Sequence, residues 1–283
     1  MIPAQFDYVR AGSVDEAVAA LAEHGDDAKV LAGGQSLIPL LRLRLSYPEV
    51  IVDVGRVDEM RGVRDDGGAI VIGAMTTHYD VLHDPLVREH AGLIVDATTT
   101  VADPAVRHRG TFGGALSHAD PAGDLPAVAV ALEAQMVIAG PGGRRTVAAT
   151  DFFVDYLQTA VGPDEVLVEV RVPKHTGWGH HYEKFHRVAQ SWAIVGVAAV
   201  VRRDDGSIGE ARVGLTNMGA TPVRATAVEQ ALAGAAPDAV AAAAEHAADG
   251  TSAPNDLNGK ADYREHLARV LTRRAVAAAA GGS

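Results

Sequence analysis

Two glycine pairs constrain the fold of this chain more than any other feature. The first, Gly33-Gly34, sits in Ala32-Gly33-Gly34-Gln35-Ser36, between the apolar runs Val30-Leu31 and Leu37-Ile38-Pro39-Leu40-Leu41. The second, Gly113-Gly114, follows Gly110, Thr111 and Phe112 in the stretch RHRGTFGGALSHADPAGDLPA, from Arg107 to Ala127. Adjacent glycines let the backbone enter φ > 0 conformations that a Cβ disfavours. Successive N–H groups can then converge on an anion such as a diphosphate. Ser117, His118, Asp120 and Asp124 lie just beyond the second pair, and carboxylates there can accept hydrogen bonds from sugar or polyol hydroxyls. Either pair alone reads equally well as an ordinary glycine turn entering a helix. Together, in one acidic chain, they suggest two loops closing on one diphosphate.

Composition narrows the function classes. A length of 283 residues suits one large domain or two to three small ones, and 48% hydrophobic residues supply a packed core. The net charge of -11 argues against nucleic acid or an anionic membrane surface as main partner. No apolar run reaches the roughly 18–20 residues of a membrane span. The opening MIPAQFDYVRAGS lacks the basic and apolar regions of a secretory signal. A soluble cytoplasmic protein is the expectation. The chain has no cysteine, which excludes disulfides, thiol nucleophiles and iron–sulfur ligation on its own residues.

Patterning predicts the elements in order. Ser13-Val14-Asp15-Glu16 is a capping-box pattern with Val14, Val18 and Leu21 at helical spacing. Lys29–Ala32 reads as a strand, a helix with Leu37, Leu40 and Leu41 inward follows, and Val50, Val52 and Val54 alternate as a strand. Next come a strand at Ala69–Gly73, a helix from Thr76 or Thr77 to about His90, and another over Gly92–Ala102. Leu125–Glu133 reads as a buried helix, Gln135–Ala139 and Glu165–Val172 as strands, and Thr150–Phe153 as a helix or turn. Pro173–Gly179 marks a boundary. Beyond it Tyr182–His186, Ala193–Arg202 and Glu210–Thr216 are strand-like, with Asp204-Asp205-Gly206 as a hairpin turn. Helices are predicted over Val223–Leu232, Pro237–Ala248 and Tyr263–Ala279. Strands followed by helices imply an antiparallel sheet with helices on one face, within an α+β chain.

Several chemistries lack their motifs. There is no GxGxxG after a strand, no GxxxxGK[ST] loop, and no GxSxG around Ser36 or Ser191. The twelve histidines include His78 and His83, and His180, His181 and His186, but none forms a matched ligand set. They read as structural or solvated. Arg107 and Arg109 suit either a diphosphate or the bracing of their own loop. Tyr182-Glu183-Lys184 and Trp192 fall on neighbouring strand-like runs, where an aromatic face and a cation can meet a planar cofactor; a core tryptophan is the better reading of Trp192 from the residues alone.

Ala32-Gly33-Gly34-Gln35-Ser36 and Thr111-Phe112-Gly113-Gly114 resemble the AGGHS and TIGG motifs of the FAD-binding medium subunits of molybdenum hydroxylases. The similarity is greatest to the carbon monoxide dehydrogenase type and its relatives acting on aldehydes or N-heterocycles. Met1-Ile2-Pro3, Ile72-Gly73-Ala74-Met75-Thr76-Thr77, Ala102-Asp103-Pro104, Asp120-Pro121 and Gly214-Leu215-Thr216-Asn217 extend the resemblance to essentially the whole chain. It implies a two-part vanillyl-alcohol-oxidase/PCMH-type FAD fold, with subdomains at 1–55 and 56–177. A C-terminal domain at 178–283 would hold a three-stranded antiparallel sheet with a helical bundle.

The same resemblance implies the site. Leu31, Ala32, Gly33, Gly34, Gln35 and Ser36 would line one FAD loop, and Gly110, Thr111, Gly113, Gly114 and Ala115 the other, with Ala102 nearby. Asp124 and Lys184 match positions that contact FAD, and Trp192 falls beside the isoalloxazine. Gln35 replaces the family's usual histidine, Phe112 an isoleucine, and Ser191 an aspartate found in many relatives. No catalytic residue and no metal ligand is expected on this chain. A small subunit with two [2Fe-2S] clusters and a large molybdopterin subunit would be its partners in a dimer of heterotrimers, a heterohexamer. Electrons would pass through FAD to an external acceptor such as a quinone. Two alternatives stay open from sequence: a self-contained FAD reductase of this fold, such as a cell-wall enolpyruvyl reductase, and a flavin-free interaction subunit.

Overall fold

The computed structural model describes residues 2–281. β1 (Asp7–Arg10), α1 (Val14–His24), β2 (Ala28–Leu31), α2 (Leu37–Leu43) and β3 (Val50–Asp53) alternate in the N-terminal unit, and its strands form a parallel sheet in the order β1-β3-β2. Ser13 caps α1 by accepting from the Glu16 N–H, while the Glu16 carboxylate takes the Gly12 N–H at 2.7 Å, a reciprocal cap reaching one residue further out than the common box. In α2 only Leu41 is buried. Leu37 and Leu40 are half-buried, and Ile38 and Leu43 are exposed. The cause is that α2 is apolar on nearly every side, so one sheet face cannot cover it.

The middle of the chain contains β4 (Val63–Asp66), β5 (Ala69–Gly73), α3 (His78–His83), α4 (Pro85–His90), α5 (Gly92–Thr99), α6 (Pro104–Arg107), α7 (Phe112–His118) and α8 (Asp124–Ala131). It continues with β6 (Gln135–Gly140), β7 (Gly143–Ala148), α9 (Ala149–Phe152), β8 (Phe153–Asp155), β9 (Gln158–Thr159) and β10 (Val166–Pro173). Five strands make an antiparallel sheet in the order β4-β5-β10-β6-β7. The single helix expected up to His90 breaks at Asp84, because the residue before a proline is driven out of the helical region. Asp84 is extended, with φ -72° and ψ 128°, and its carboxylate caps α4. Every residue of α8 is buried, as suits a helix that is apolar all round after its opening Asp124.

The C-terminal unit is built from β11 (Gly179–Phe185), β12 (Val195–Asp204), β13 (Ser207–Thr216), β14 (Val223–Arg224), α10 (Thr226–Leu232), α11 (Val240–Ala243) and α12 (Ala261–Gly281). Its sheet is antiparallel in sequential order, and the two-residue β14 takes up the start of the helix expected at Val223. Asp205 and Gly206 turn the β12–β13 hairpin at φ 48° and 88°. Helices cover both faces of this sheet rather than one. Val195, Val197, Ala199 and Val201 of β12 join a core with α10, α11 and α12, whereas Ala198 and Val200 join the core of the preceding units, against α5 and α8. That alternation is the two-residue period of a strand. No described helix is long and apolar enough to cross a membrane.

Candidate cofactor-binding site

Three turns meet where β2 and β5 end and α7 begins. Thr77 and Thr111 pair as a bridge, with the His78 N–H donating to Gly110 O and the Phe112 N–H to Thr76 O, both at 2.9 Å. The Gly113 N–H donates to Ala74 O at 2.9 Å, so closely that a Cβ on Gly113 would overlap Ala74. The first glycine pair docks on the same place. A Cβ on Gly33 would overlap the Arg109 carbonyl, and one on Gly114 would lie 3.6 Å from Ala32.

The two loops are not equivalent, which corrects the expectation of two like nests. Gly113 and Gly114 do not adopt positive φ; they belong to the first turn of α7, where the Thr111 hydroxyl caps the Gly114 N–H at 3.1 Å. With Phe112 and Gly113 donating to Thr76 and Ala74, the donors of that turn are engaged inside the protein. The first loop differs: Gly34 takes φ 76°, and the N–H groups of Gly33, Gly34, Gln35 and Ser36 have no hydrogen-bond partner among the described residues. An open run of donors backed by a wall too close for side chains fits a diphosphate, which can occupy the former and rest on the latter. Leu31, Ala32 and Ser36 are half-buried around these donors, and the exposed Gln35 amide folds back towards Gly33 O. Ala115 continues α7, half-buried.

Behind the wall stands a connection held by cations. Arg107 donates to Val101 O at 2.8 Å and reaches Thr99 O and Ala102 O, while Lys184 Nζ donates to Thr100 O at 3.1 Å. Arg107 therefore braces its own loop, and Ala102 is held at φ 42°, strained for a residue with a Cβ. Lys184 also pairs with Asp124 at 2.8 Å, the two side chains only 3% and 5% exposed. The Tyr182 hydroxyl donates to the other Asp124 oxygen at 2.7 Å. Burial pushes the Asp124 carboxyl above its ordinary range, against the pull of Lys184 and Tyr182, and burial likewise holds the Tyr182 phenol well above its own. Asp124 and Lys184 are thus brought together, with both carboxylate oxygens already bonded within the protein.

Trp192 is placed by the structure in the connection between β11 and β12, 57% exposed, so it is neither a core residue nor on a strand. Ser191 closes its own turn by donating to Val188 O at 2.9 Å. Phe112 is buried beneath the wall. Sequence reasoning gave His78 no part here, yet it lies under Gly110, 4% exposed, with Nδ1 lacking a partner. Burial, aided by Arg107, lowers its imidazole to about 4, which keeps it neutral. The Thr77–Thr111 spacing carried no signal for that pairing, which only the fold creates. No group of three or more histidine, aspartate or glutamate side chains able to hold a metal occurs among the described residues.

Residues 4–175 match the family described as the FAD binding domain in molybdopterin dehydrogenase, and residues 180–279 match the CO dehydrogenase flavoprotein C-terminal domain. The chain belongs to this family of FAD-binding flavoprotein subunits of molybdenum hydroxylases, and its cofactor is FAD. It is 43% identical over 284 residues to the carbon monoxide dehydrogenase medium chain of Hydrogenophaga pseudoflava, covering 99% of this chain and 98% of that one. The solved carbon monoxide dehydrogenase from that organism superposes with a TM-score of 0.96 at 45% identity, covering 99% and 98% of the two chains. Quinoline 2-oxidoreductase from Pseudomonas putida 86 superposes at 0.94 with 35% identity, covering 100% and 99%.

Proposed function

We propose that this chain is the electron-transferring medium subunit of a cytoplasmic molybdenum hydroxylase of the carbon monoxide dehydrogenase type. Its partners are a small [2Fe-2S] subunit and a large molybdopterin subunit, in a dimer of heterotrimers. One observation carries the reading: a chain without a single cysteine aligns over 99% of its length with a medium chain of such an enzyme. It cannot ligate the iron–sulfur relay itself, so electrons must reach it from another chain. FAD supplies the electron chemistry when bound, passing electrons to an external acceptor such as a quinone.

The protein's own contribution is to bind, orient and shield. The N–H groups of Gly33–Ser36 would hold the diphosphate, with Gly110–Ala115 as the wall behind it. Leu31 and Ala32 exclude water from one side. Ala102, Asp124 and Lys184 would shape the other side, the last two through their shared ion pair, and Trp192 would stand beside the ring. Residues 1–55 and 56–177 act as the two halves of the cofactor fold, and 178–283 supply Lys184 and Trp192. Purified from its native source, the chain should carry both partners across an interface above roughly 1,000 Å². A lone monomer with full substrate turnover would overturn the reading. In the assembled complex Trp192→Phe should leave iron–sulfur reduction by substrate at its normal rate and slow delivery to the final acceptor, as rapid-mixing absorbance can separate. Loss of cluster reduction would place substrate chemistry on this chain instead.

A further inference from the structure

Trp192 is exposed, yet the chain that follows it is fastened from two directions. Ala193 and Ile194 come directly after it, and a different buried side chain takes each carbonyl. The Asn217 amide donates to Ala193 O at 2.8 Å, and the Arg264 guanidinium donates to Ile194 O. Asn217 stands just past β13 at φ 62°, a left-handed conformation that asparagine tolerates better than most side chains. Its backbone N–H donates to Pro121 O at 2.8 Å, in the turn between α7 and α8. One residue therefore registers the Trp192 segment against the end of the helix that begins at the second glycine pair.

Arg264 comes from the other side, out of α12. It is 0% exposed, and Asp256 answers its charge, with both carboxylate oxygens 2.7 Å from Nη2. Burying a guanidinium is costly even when it is paired. A hairpin connection of ordinary kind needs no such anchor, because it closes on its own strands. Here the segment before Trp192 closes on itself through the Val188–Ser191 turn, and the Ile194 N–H closes on β11 by donating to Phe185 O at 2.8 Å, so the Asn217 and Arg264 contacts come on top of the hairpin's own closure.

We propose that Asn217 and Arg264 are positioning residues for the flavin environment: they fix the Ala193–Ile194 and Ile194–Val195 peptide planes, which begin one residue past Trp192, and so limit where its indole can stand. The proposal rests on the reading that Trp192 lies beside the flavin ring. The clamp draws on β13 and α12, so the C-terminal unit acts on the cofactor through this one segment as well as through Lys184.

The test uses the full-length chain with Trp178→Phe, which leaves Trp192 as its sole tryptophan. Phenylalanine keeps a ring for the Arg202 and Arg212 cations that face position 178. An indole beside a flavin is quenched, so emission of the flavin-loaded chain should fall below that of the flavin-free chain. Asn217→Gly preserves the left-handed backbone and deletes only the amide. It should raise Trp192 emission in the loaded chain roughly twofold, by letting the segment move. It should also shift the flavin reduction potential while leaving flavin content unchanged. Should Asn217→Gly fail to fold, Arg264→Lys replaces it, keeping a cation beside Asp256 without the fork that reaches Ile194 O. Quenching that persists unchanged in a folded clamp variant, with an unshifted potential, overturns the proposal. Equal emission with and without flavin in the parent chain instead overturns the placement of Trp192, and the proposal with it.

Discussion

Gly33 and Gly114 each belong to a glycine pair, but they lack a side chain for different reasons. A Cβ on Gly33 meets the Arg109 backbone, which cannot move without pulling the two loops apart. At Gly114 the near atom is Thr111 Oγ1, at 2.6 Å, a hydroxyl that can rotate away. Rotation sacrifices the cap of α7, worth about 1 kcal/mol. Gly33→Ala should therefore purify with little flavin, whereas Gly114→Ala should keep its flavin and melt a few degrees lower. Flavin-to-protein ratio and thermal denaturation check the pair. Sequence alone led to the expectation that the two positions would respond alike. The glycine pairs were legible because glycine has a direct backbone meaning. Which donors remain open was not, since Ala74 and Thr76 engage the second loop from distant sequence. His78 adds a prediction in pH. Its folded-state value near 4 lies below the ordinary 6.5, so the unfolded chain binds the proton first. The stability it contributes is present above that ordinary value and is lost as pH falls towards the folded value. Between about pH 7 and about pH 5 the loss is about 2 kcal/mol. His78→Gln should flatten that acid-side slope, measured by denaturant unfolding across the same range.

At the scale of elements, the joint between α8 and β11 depends on one buried carboxylate. Asp124 opens α8, while Tyr182 and Lys184 lie two residues apart on β11 and point to the same side of the sheet. Lys184→Met would strand the Asp124 charge in the interior and should cost about 3–5 kcal/mol. Tyr182→Phe removes one donor and should cost about 1–3 kcal/mol. Asp124→Leu combined with Lys184→Met should recover most of the loss of the single lysine variant. A double-mutant cycle by chemical denaturation would show the coupling, and additive costs would mean the pair is not acting as a unit. The strands and helices around this joint were largely legible from hydrophobic period and caps. The misses have local causes. Pro85 divides a helix that periodicity alone would run together, and α2 carries more apolar surface than one sheet face can cover. The helices on the second face of the C-terminal sheet arrive from the middle of the chain, which no local pattern encodes.

On the scale of the whole molecule, one continuous core joins the parallel N-terminal sheet, the five-stranded sheet and the inner face of the C-terminal sheet. The family and its cofactor were legible in sequence because short loop motifs carry them. The clamp on the Trp192 segment was not, because Asn217 and Arg264 meet it only through tertiary packing. The sheet order has a consequence for how the protein is made. β5 ends beside the wall of the site, and its partner β10 is synthesised roughly a hundred residues later, with closure of so long a loop slowing the pairing. Both glycine loops will thus have left the ribosome well before the sheet beneath them can close. Nascent chains halted before Val166 should not retain flavin, and those released beyond Pro173 should be the first able to close the middle sheet beneath the two glycine loops, with Lys184 and Trp192 completing the pocket later. Flavin supply during synthesis would then matter late, when the strand that completes the middle sheet has emerged.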